Sequence, residues 1–331
     1  MLRFIIKRIL MMIPVLLGVM LIVFSLSHFM PGDPVVNALG SEYTQEQYDQ
    51  KAAEMGLDKP FLQQFLDYLV DVVFHQDLGY SYKSHREVST EIGERIGISL
   101  RLGIMSCMIT VLLGIPLGII SAIKQYSPLD YTVTTISLIF ASMPGFWLAL
   151  MMMLLFSLTL KWLPSSGLSS WKHYVMPVLA QGLMPIASIV RMTRSSMLEV
   201  IRQDYIRTAR AKGLSERMVI WRHALKNALI PVITVIGMQA SMIIGGSVII
   251  ETIFSIPGVG TLLMTAINNR DYPSTMGIVL VLSLFVCIVN LIVDLVYATV
   301  DPRIKAQFVS STRQRRKKEP RKIMGEGAET A

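Results

Sequence analysis

The sequence predicts an all-α membrane protein with six transmembrane helices and a small helical cap on the outer side of the membrane. Of its 331 residues, 52% are hydrophobic and 16% are charged, whereas a typical soluble domain has roughly 25% charged residues. Apolar runs long enough to cross a bilayer recur along the chain. Basic and acidic residues are also segregated into different connecting segments. Together these observations place the chain in a bilayer.

The apolar runs predict the positions of the spans. These are residues 9–30, 97–123, 131–160, 175–190, 228–250 and 276–300. The third run is longer than a bilayer requires, so we expect that helix to be tilted. The fourth run is short and contains Pro177 and Pro185, which are tolerated where neighbouring helices satisfy the freed carbonyl groups. A kinked helix enclosed by protein is therefore expected there.

Lys and Arg predict the side on which each connection lies, because short basic segments resist translocation. Residues 191–227 include nine basic and three acidic residues, and both ends of the chain are also basic. Residues 31–96 instead include twelve acidic and five basic residues. Both termini and the 191–227 loop are therefore predicted to be cytoplasmic. The net charge of +8 is then explained by topology and by contact with anionic membrane lipid, not by binding of nucleic acid.

Four parts of the chain follow from this topology. They are a cytoplasmic N-terminus with the first span (1–30), an extracytoplasmic loop and cap (31–96), a core with five spans (97–308) and a basic, disordered cytoplasmic tail (309–331). In the cap, residues 48–55 and 60–74 have helical spacing and carry an apolar stripe. The stripe either packs on the spans or provides a docking surface for an external partner; it consists of Phe61, Phe65, Tyr68, Leu69 and Val72.

No motif in the sequence supports catalysis or a preformed metal site. The chain has no GxxxxGK[ST] loop to hold phosphates, and it has no HExxH or GxSxG motif. The five histidines lack metal-ligand spacing. Cys107 and Cys287 lie within predicted spans, where a thiol behaves as a small hydrophobe. We therefore predict no catalytic residue, no metal ligand and no cofactor bound by this chain.

One carboxylate, Asp294, lies inside the last predicted span, where a charge is costly. Asn290 precedes it by about one helical turn. We interpret these two residues as polar contacts between helices. The alternative is a relay for ions.

The 191–227 loop contains a pattern of two short helices. Asp204 is predicted to cap a helix over 205–212, and Gly213 is predicted to end it. Ser215 then opens a second helix that leads toward the fifth span. The result would be a protruding knob with a glycine elbow.

The composition of this knob favours contact with another protein. The small side chains of Ala209 and Ala211 allow close approach, and Arg207, Arg210 and Lys212 are suited to acidic groups on a partner. The alternative is an amphipathic loop that lies against lipid.

This loop resembles the EAA loop of ABC importer permeases. The resemblance rests on TARAKGLSE at 208–216 and RHALKNALIP at 222–231. The spacing fits, but Arg207, His223 and Lys226 occupy the positions of the family's Glu, Ile and Pro. These departures are similar to those of the dipeptide, oligopeptide and nickel branch. Further similarity extends to about residue 308 and includes PGDP at 31–34, GLDKP at 56–60, DLGYS at 77–81, WLP at 162–164, RMTRSSMLEV at 191–200, ETIFSIPGVG at 251–260, RDYP at 270–273 and DPRIK at 301–305.

The resemblance implies a multi-pass permease subunit of the type I importer bundle in the bacterial cytoplasmic (inner) membrane. Its implied partners are a second homologous permease subunit, two P-loop ATPases that hold ATP and Mg, and an extracytoplasmic solute-binding protein. In the implied alternating-access mechanism, the loop transmits ATPase motion to the spans. The residues assigned to ATPase coupling are Asp204, Tyr205, Arg207, Thr208, Ala209, Arg210, Ala211, Lys212 and Gly213.

The outward end of the fifth span is assigned to the outer mouth of the translocation path. There Pro257, Gly258 and Gly260 permit non-helical backbone beside a cavity, and Glu251 opens the same motif. Members of the branch carry peptides, glutathione or nickel chelates, and the lack of a metal-ligand cluster favours short peptides over free metal. Rival classes are a self-sufficient secondary transporter, for which Asp294 is the candidate relay, and a membrane-anchored receptor or assembly factor.

Overall fold

The computed structural model describes residues 2–29, 32–40 and 42–300, and its regular structure is almost entirely helical. The helices are α1 (Leu2–Phe29), α2 (Pro34–Leu39), α3 (Gln45–Glu54), α4 (Phe61–Val70), α5 (Val88–Ile123), α6 (Pro128–Ser142), α7 (Gly145–Met152), α8 (Lys172–Leu183), α9 (Ile186–Ile201), α10 (Asp204–Ala211), α11 (Glu216–Met218), α12 (Leu225–Ile253), α13 (Val259–Asn268) and α14 (Tyr272–Val300). Wider π-helical turns extend α4 over Asp71–His75 and α7 over Met153–Thr159, and join α11 to α12 over Val219–Ala224.

Several of these helices have the length and composition of membrane spans. Within the described residues, the four single helices of this kind are Ile5–Phe29, Val88–Ile123, Glu216–Ile243 and Tyr272–Val296. Two bent pairs bring the number to as many as six: Pro128–Ser142 with Gly145–Thr159, and Lys172–Leu183 with Ile186–Ile201. This agrees with the six apolar runs of the sequence.

The third apolar run is not the single tilted helix that its length predicted. It divides into α6 and α7, which are bent by 100° relative to each other. The break lies at Met143, whose backbone is extended with φ −85° and ψ 130°. Pro144 follows it, and a proline ring disfavours helical backbone in the residue before it. The excess length is therefore accommodated by a bend.

The fourth run is kinked and enclosed by protein, as expected. Helices α8 and α9 meet at 51° beside Pro185. Residues buried along this pair include Met176, Ala180, Ile189 and Met197. Pro177 lies inside α8 without ending it. The bundle core thus contains the helix pair that the sequence placed there.

Close packing of α5 on α9 forms the centre of the bundle. A Cβ atom at Gly114 would lie 2.8 Å from the side chain of Ile189, and one at Gly118 would lie 2.5 Å from that of Thr193. Small residues let two helix backbones approach in this way. Gln181 of α8 adds a polar link, because it accepts from Ser106 Oγ (3.1 Å) and donates to the Ile243 carbonyl (2.6 Å).

The bundle has two ends, which we call the loop end and the cap end. The loop end contains residues 202–224, where α10 packs near the end of α5. The cap end contains residues 32–87 and the start of α14, where the rings of Tyr82 and Tyr272 are in contact. Arg8 donates to Asp294 at 2.8 Å at the loop end, and so fastens the peripheral α1 to α14. Asn290 accepts from Ser241 of α12 at 2.8 Å, which confirms the predicted contacts between helices.

The cap contains the helices that the sequence predicted. Thr44 and Gln47 form a reciprocal capping box at the start of α3. On α4, Phe61 and Phe65 lie with their ring centroids 5.1 and 5.3 Å from that of Phe24 in α1. Part of the predicted apolar stripe therefore packs on the first span.

Candidate functional site

Helix α10 lies at the loop end on a base of apolar side chains. Its residues Ile206 and Ala209 are buried in a cluster contributed by α5, α9 and the segment leading into α12. The other buried members of that cluster are Ile119, Ala122, Met197, Val219, Ile220, Ala224 and Ala228. One face of α10 is thus fixed against its own chain. The exposed side carries Asp204, Tyr205, Arg207, Thr208, Ala211 and Lys212.

Two predicted roles on α10 are wrong. Asp204 is the first helical residue, not the N-cap; Gln203 occupies the cap position with extended backbone and makes no capping bond through its side chain. The Asp204 Oδ1 atom instead lies 3.6 Å from Arg207 Nη1, and both side chains are exposed. Ala209 does not offer a surface for close approach, because it is 7% exposed and packs inward. The helical period places it on the same face as Ile206.

Arg210, which the sequence analysis matched to acidic groups on a partner, is paired with an acidic residue of its own chain. Its Nε donates to Glu216 Oε1 at 2.7 Å, and its Nη2 donates to Glu216 Oε2 at 3.3 Å. Glu216 raises the pKa of the Arg210 guanidinium further through these bonds. The pair joins α10 to α11 across the turn. Arg207, Arg210 and Lys212, the basic residues of the predicted coupling set, are all exposed.

The turn after α10 has the predicted chemistry. Gly213 has φ +79°, a left-handed conformation that residues with a Cβ atom rarely adopt. Open space surrounds the position where a Cβ atom would lie. Ser215 then accepts from the Met218 amide at 3.4 Å and so opens α11, as expected. Tyr205 adds a second tether, since its hydroxyl accepts from Asn227 Nδ2 at 2.9 Å.

A buried polar cluster beneath this loop was missed by the sequence analysis. Asp130 at the start of α6 is 3% exposed and accepts two bonds from Arg194 of α9, at 2.9 Å from Nε and 2.8 Å from Nη2. Its carboxylate also accepts from Ser121 Oγ of α5 and from the Tyr126 amide. Asp130 therefore ties together α5, α6 and α9 at the loop end. The sequence counted Arg194 only as a basic residue of the loop.

At the cap end, the four residues assigned to the translocation path lie around one turn. Glu251 is fully buried, and its Oε2 accepts from the amides of Gly260 (2.7 Å) and Thr261 (3.3 Å) at the start of α13. Ser99 of α5 accepts from the neighbouring Val259 amide at 2.8 Å. These bonds hold α13 against α5 and α12. Pro257 and Gly258 form the turn that leads into α13.

The glycines of this turn are required by the approach of Glu251. A Cβ atom at Gly260 would lie 2.7 Å from Glu251 Oε2 and 2.6 Å from Val248 Cα, and one at Gly258 would collide with the same carboxylate. Glu251 thus faces backbone amides inside the protein. Its position shows how the backbone of this segment is held; which residues line the path stays a prediction.

Asp271 forms a second buried carboxylate cluster that sequence reasoning did not identify. It is 3% exposed and accepts from Ser81 Oγ (2.5 Å), Tyr82 N (3.1 Å) and Ser274 Oγ (2.8 Å). Tyr82 is held beside it, and burial raises the pKa of its phenol well above the ordinary value. The motifs DLGYS and RDYP contain Ser81 and Asp271, so their joint occurrence was the available signal.

Some predictions concern residues outside the described ranges, and one concerns metal ligands. The tail 309–331 and the motif DPRIK at 301–305 lie outside the described residues, as does the first residue of PGDP at 31–34. Among the residues that the structure describes, no group of three or more His, Cys, Asp or Glu side chains is arranged to hold a metal ion.

The chain is similar to known transport proteins over most of its length. Residues 114–306 match the family described as binding-protein-dependent transport system inner membrane component, and residues 1–103 match the N-terminal family of such membrane components. It is 41% identical to the dipeptide transport system permease protein DppB of Escherichia coli strain K12, covering 92% of this chain and 99% of the relative. It is 40% identical to the glutathione transport system permease protein GsiC of Pectobacterium atrosepticum, with the same coverage of both chains.

A solved structure supports the fold. The MetNI methionine ABC transporter, in an inward-facing conformation, contains a chain that aligns with a TM-score of 0.55 at 18% sequence identity. The alignment covers 64% of this chain and 97% of that chain.

Proposed function

The chain belongs to the family of binding-protein-dependent transport system inner membrane components, and we propose that it is a permease subunit of an ATP-driven importer of short peptides. Relatives about 40% identical over 92% of the chain are named as dipeptide permeases from several bacteria. The high coverage of both chains supports a shared task in the membrane. The subunit forms part of the wall of the path, and it does not catalyse ATP hydrolysis.

The coupling proposal rests on the way α10 packs against the rest of the chain. Its apolar face is fixed by Ile206 and Ala209, while Arg207 and Lys212 project from the bundle. A rigid element of this kind transmits a push from a partner to the helices on which it rests. These are α5 and α9, which are also locked to α6 by Asp130 and Arg194.

The proposed partners are a second homologous permease subunit, two P-loop ATPases and an extracytoplasmic solute-binding protein. ATP and Mg would be held by the ATPases, and this chain would need no cofactor of its own. The loop end would face the cytoplasm with both termini, because its exposed basic residues Arg202, Lys212, Arg217 and Arg222 resist translocation. The cap end would then face the binding protein.

The outer mouth of the path is proposed to lie near Pro257, Gly258 and Gly260. Glu251 would serve as the positioning residue that holds this irregular backbone, since it bonds to the amides of Gly260 and Thr261. Irregular backbone at membrane depth is tolerated where protein encloses it or where it lines a cavity. Pro257 is exposed, and Pro257→Cys is expected to react with aqueous reagents in at least one nucleotide state of the complex.

One alternative solute has specific support, whereas the structure disfavours the alternative class of transporter. Glutathione is a second candidate solute, because the GsiC relatives are as similar to this chain as some of the dipeptide permeases; nickel or metal chelates belong to the same group of candidates. A secondary transporter would need an ion relay, and its candidate was Asp294. Pairing with Arg8 at 2.8 Å favours a structural role for that carboxylate.

Replacing the elbow glycine tests the coupling proposal. We expect Gly213→Val to reduce peptide uptake by at least about tenfold, because left-handed backbone costs a residue with a Cβ atom roughly 1–2 kcal/mol and the turn would change its path. Gly213→Asn is the matched control, since Asn adopts this conformation more readily. Uptake and ATP hydrolysis are measured together in reconstituted vesicles at equal protein levels. Normal uptake by Gly213→Val would contradict the proposal.

A further inference from the structure

The cap helix α4 and its π-helical extension carry a second apolar surface that differs from the one packed on α1. Phe61 and Phe65 face α1, whereas the adjoining side of the helix exposes a row of large apolar residues. We call this row the exposed stripe; it consists of Leu62 (63% exposed), Leu66 (51%), Val70 (45%), Val73 (61%) and Phe74 (77%). An apolar row of this length on a helix outside the bundle implies contact with something apolar.

We propose that the exposed stripe is inserted into the outer leaflet of the bilayer, at the boundary between headgroups and acyl chains, so that α4 is an interfacial helix. The inference depends on α1 crossing the membrane, and it does not depend on which solute is carried. Its first support is the position of α4 at the end of a candidate membrane span. Helix α4 contacts the last turns of the span Ile5–Phe29. There the ring centroid of Phe61 lies 5.9 Å from that of Phe29, in a stacked arrangement, and 5.1 Å from that of His28.

Its second support is continuity with a lipid-facing surface. On α1, Ile22 is 60% exposed, Leu26 is 64% exposed and Phe29 is 75% exposed. These residues lie in a span that is largely unburied in the bundle, and Phe29 touches α4 directly. The apolar surface of the span therefore continues onto the cap helix.

The distribution of polar residues on α4 agrees with this placement. At 3.6 residues per turn, Asp67 and Asp71 lie on the side opposite to the boundary between the packed and exposed faces. Asp67 accepts from Lys59 at 2.7 Å, and Asp71 is paired with His75. No charged residue lies within the exposed stripe itself. An apolar side next to a charged side is the arrangement found in helices that lie in the plane of a membrane interface.

Nitroxide accessibility tests the proposal directly. The full-length chain, co-expressed with its partner subunits, is placed in vesicles of phosphatidylethanolamine and phosphatidylglycerol after Cys107→Ala and Cys287→Ala. Spin labels are attached at Leu66→Cys and Val73→Cys on the stripe, and at Asp71→Cys as the matched control on the polar side. Collision rates are measured with oxygen, which partitions into lipid, and with chromium oxalate, which stays in water.

We expect the ratio of oxygen to chromium oxalate collisions to be severalfold higher at positions 66 and 73 than at 71. Equal, water-like ratios at all three positions would overturn the proposal. Protection of positions 66 and 73 from both reagents would also overturn it, because that result indicates contact with another protein. Two stripe positions are used so that failed insertion of one variant leaves the other to decide.

Discussion

At the loop end, the short helix α10 rests on apolar side chains, whereas at the cap end the short helix α13 is held by the carboxylate of Glu251. Ile206 and Ala209 contribute non-directional packing, and the hydrogen bonds that Tyr205 and Arg210 make within the chain lie on the exposed side of α10. Glu251 instead accepts directional bonds from two backbone amides. Packing is compatible with the proposed coupling role of α10, and buried hydrogen bonds fix the shape of the turn before α13.

The two ends also differ in how their buried carboxylates, Asp130 and Asp271, are bonded. Beneath α10, Asp130 is bonded to a side chain of another helix, Arg194, and so joins helix to helix. At the cap end, Asp271 bonds to the backbone of Tyr82 and to the hydroxyl of Ser81, and so joins a loop to a helix. Buried carboxylates thus organise both ends: Asp130 forms an ion pair with Arg194, whereas Asp271 accepts from the neutral groups of Ser81, Tyr82 and Ser274.

The largest effect is expected at the cap end. Glu251→Ala would leave the Gly260 and Thr261 amides without an acceptor in a fully buried site, so we expect the free energy of unfolding to fall by about 4 kcal/mol. Glu251→Gln keeps an acceptor oxygen and should cost less. The measurement is thermal unfolding of the solubilised complex. Equal stability of the Ala variant and the unchanged protein would show that packing, not Glu251, holds α13.

The next effect is expected at Asp130. Asp130→Ala removes both bonds to Arg194 and leaves a partly buried guanidinium unpaired, which should cost about 3 kcal/mol. Because α6 would then separate from the base of α10, we also expect more ATP hydrolysed per solute transported.

The matched control for this variant is Glu94→Gln. Glu94 belongs to an ion pair with Arg86 near the other end of α5, and both side chains are about half exposed. That substitution should leave the ratio of hydrolysis to transport unchanged. An altered ratio in the control, or an unaltered ratio in Asp130→Ala, would argue against a role for Asp130 in coupling.

The smallest effect is expected for the exposed pair of Arg210 and Glu216. Their side chains are 39% and 62% exposed, so Glu216→Gln should lower the free energy of unfolding by only about 0.5 kcal/mol. A double-mutant cycle with Arg210→Gln measures the interaction itself. A coupling energy as large as that of Asp130 with Arg194 would remove the contrast between exposed and buried pairs.

Local patterns in the sequence predicted much of the fold. The six apolar runs overlap the four single candidate spans and the two bent pairs, the proline at 185 predicted a kink, and Gly213 with Ser215 marked the end of α10 and the start of α11. Pro144 was a local signal for the bend in the third run, and the sequence analysis did not use it. Each of these features is set by residues that are neighbours along the chain.

The sequence by itself determined the helical membrane class, the positions of the candidate spans, the segregation of basic and acidic residues between connecting segments, and the family. These properties are sums over local composition, or motifs that remain recognisable out of context. Tertiary structure alone decided that Ala209 points inward, that Arg210 is paired, and that Asp130 meets Arg194 across 64 positions of sequence. The physical reason is that hydrogen bonds and burial depend on distances in space, and only the packing of α5, α6 and α9 brings those residues together.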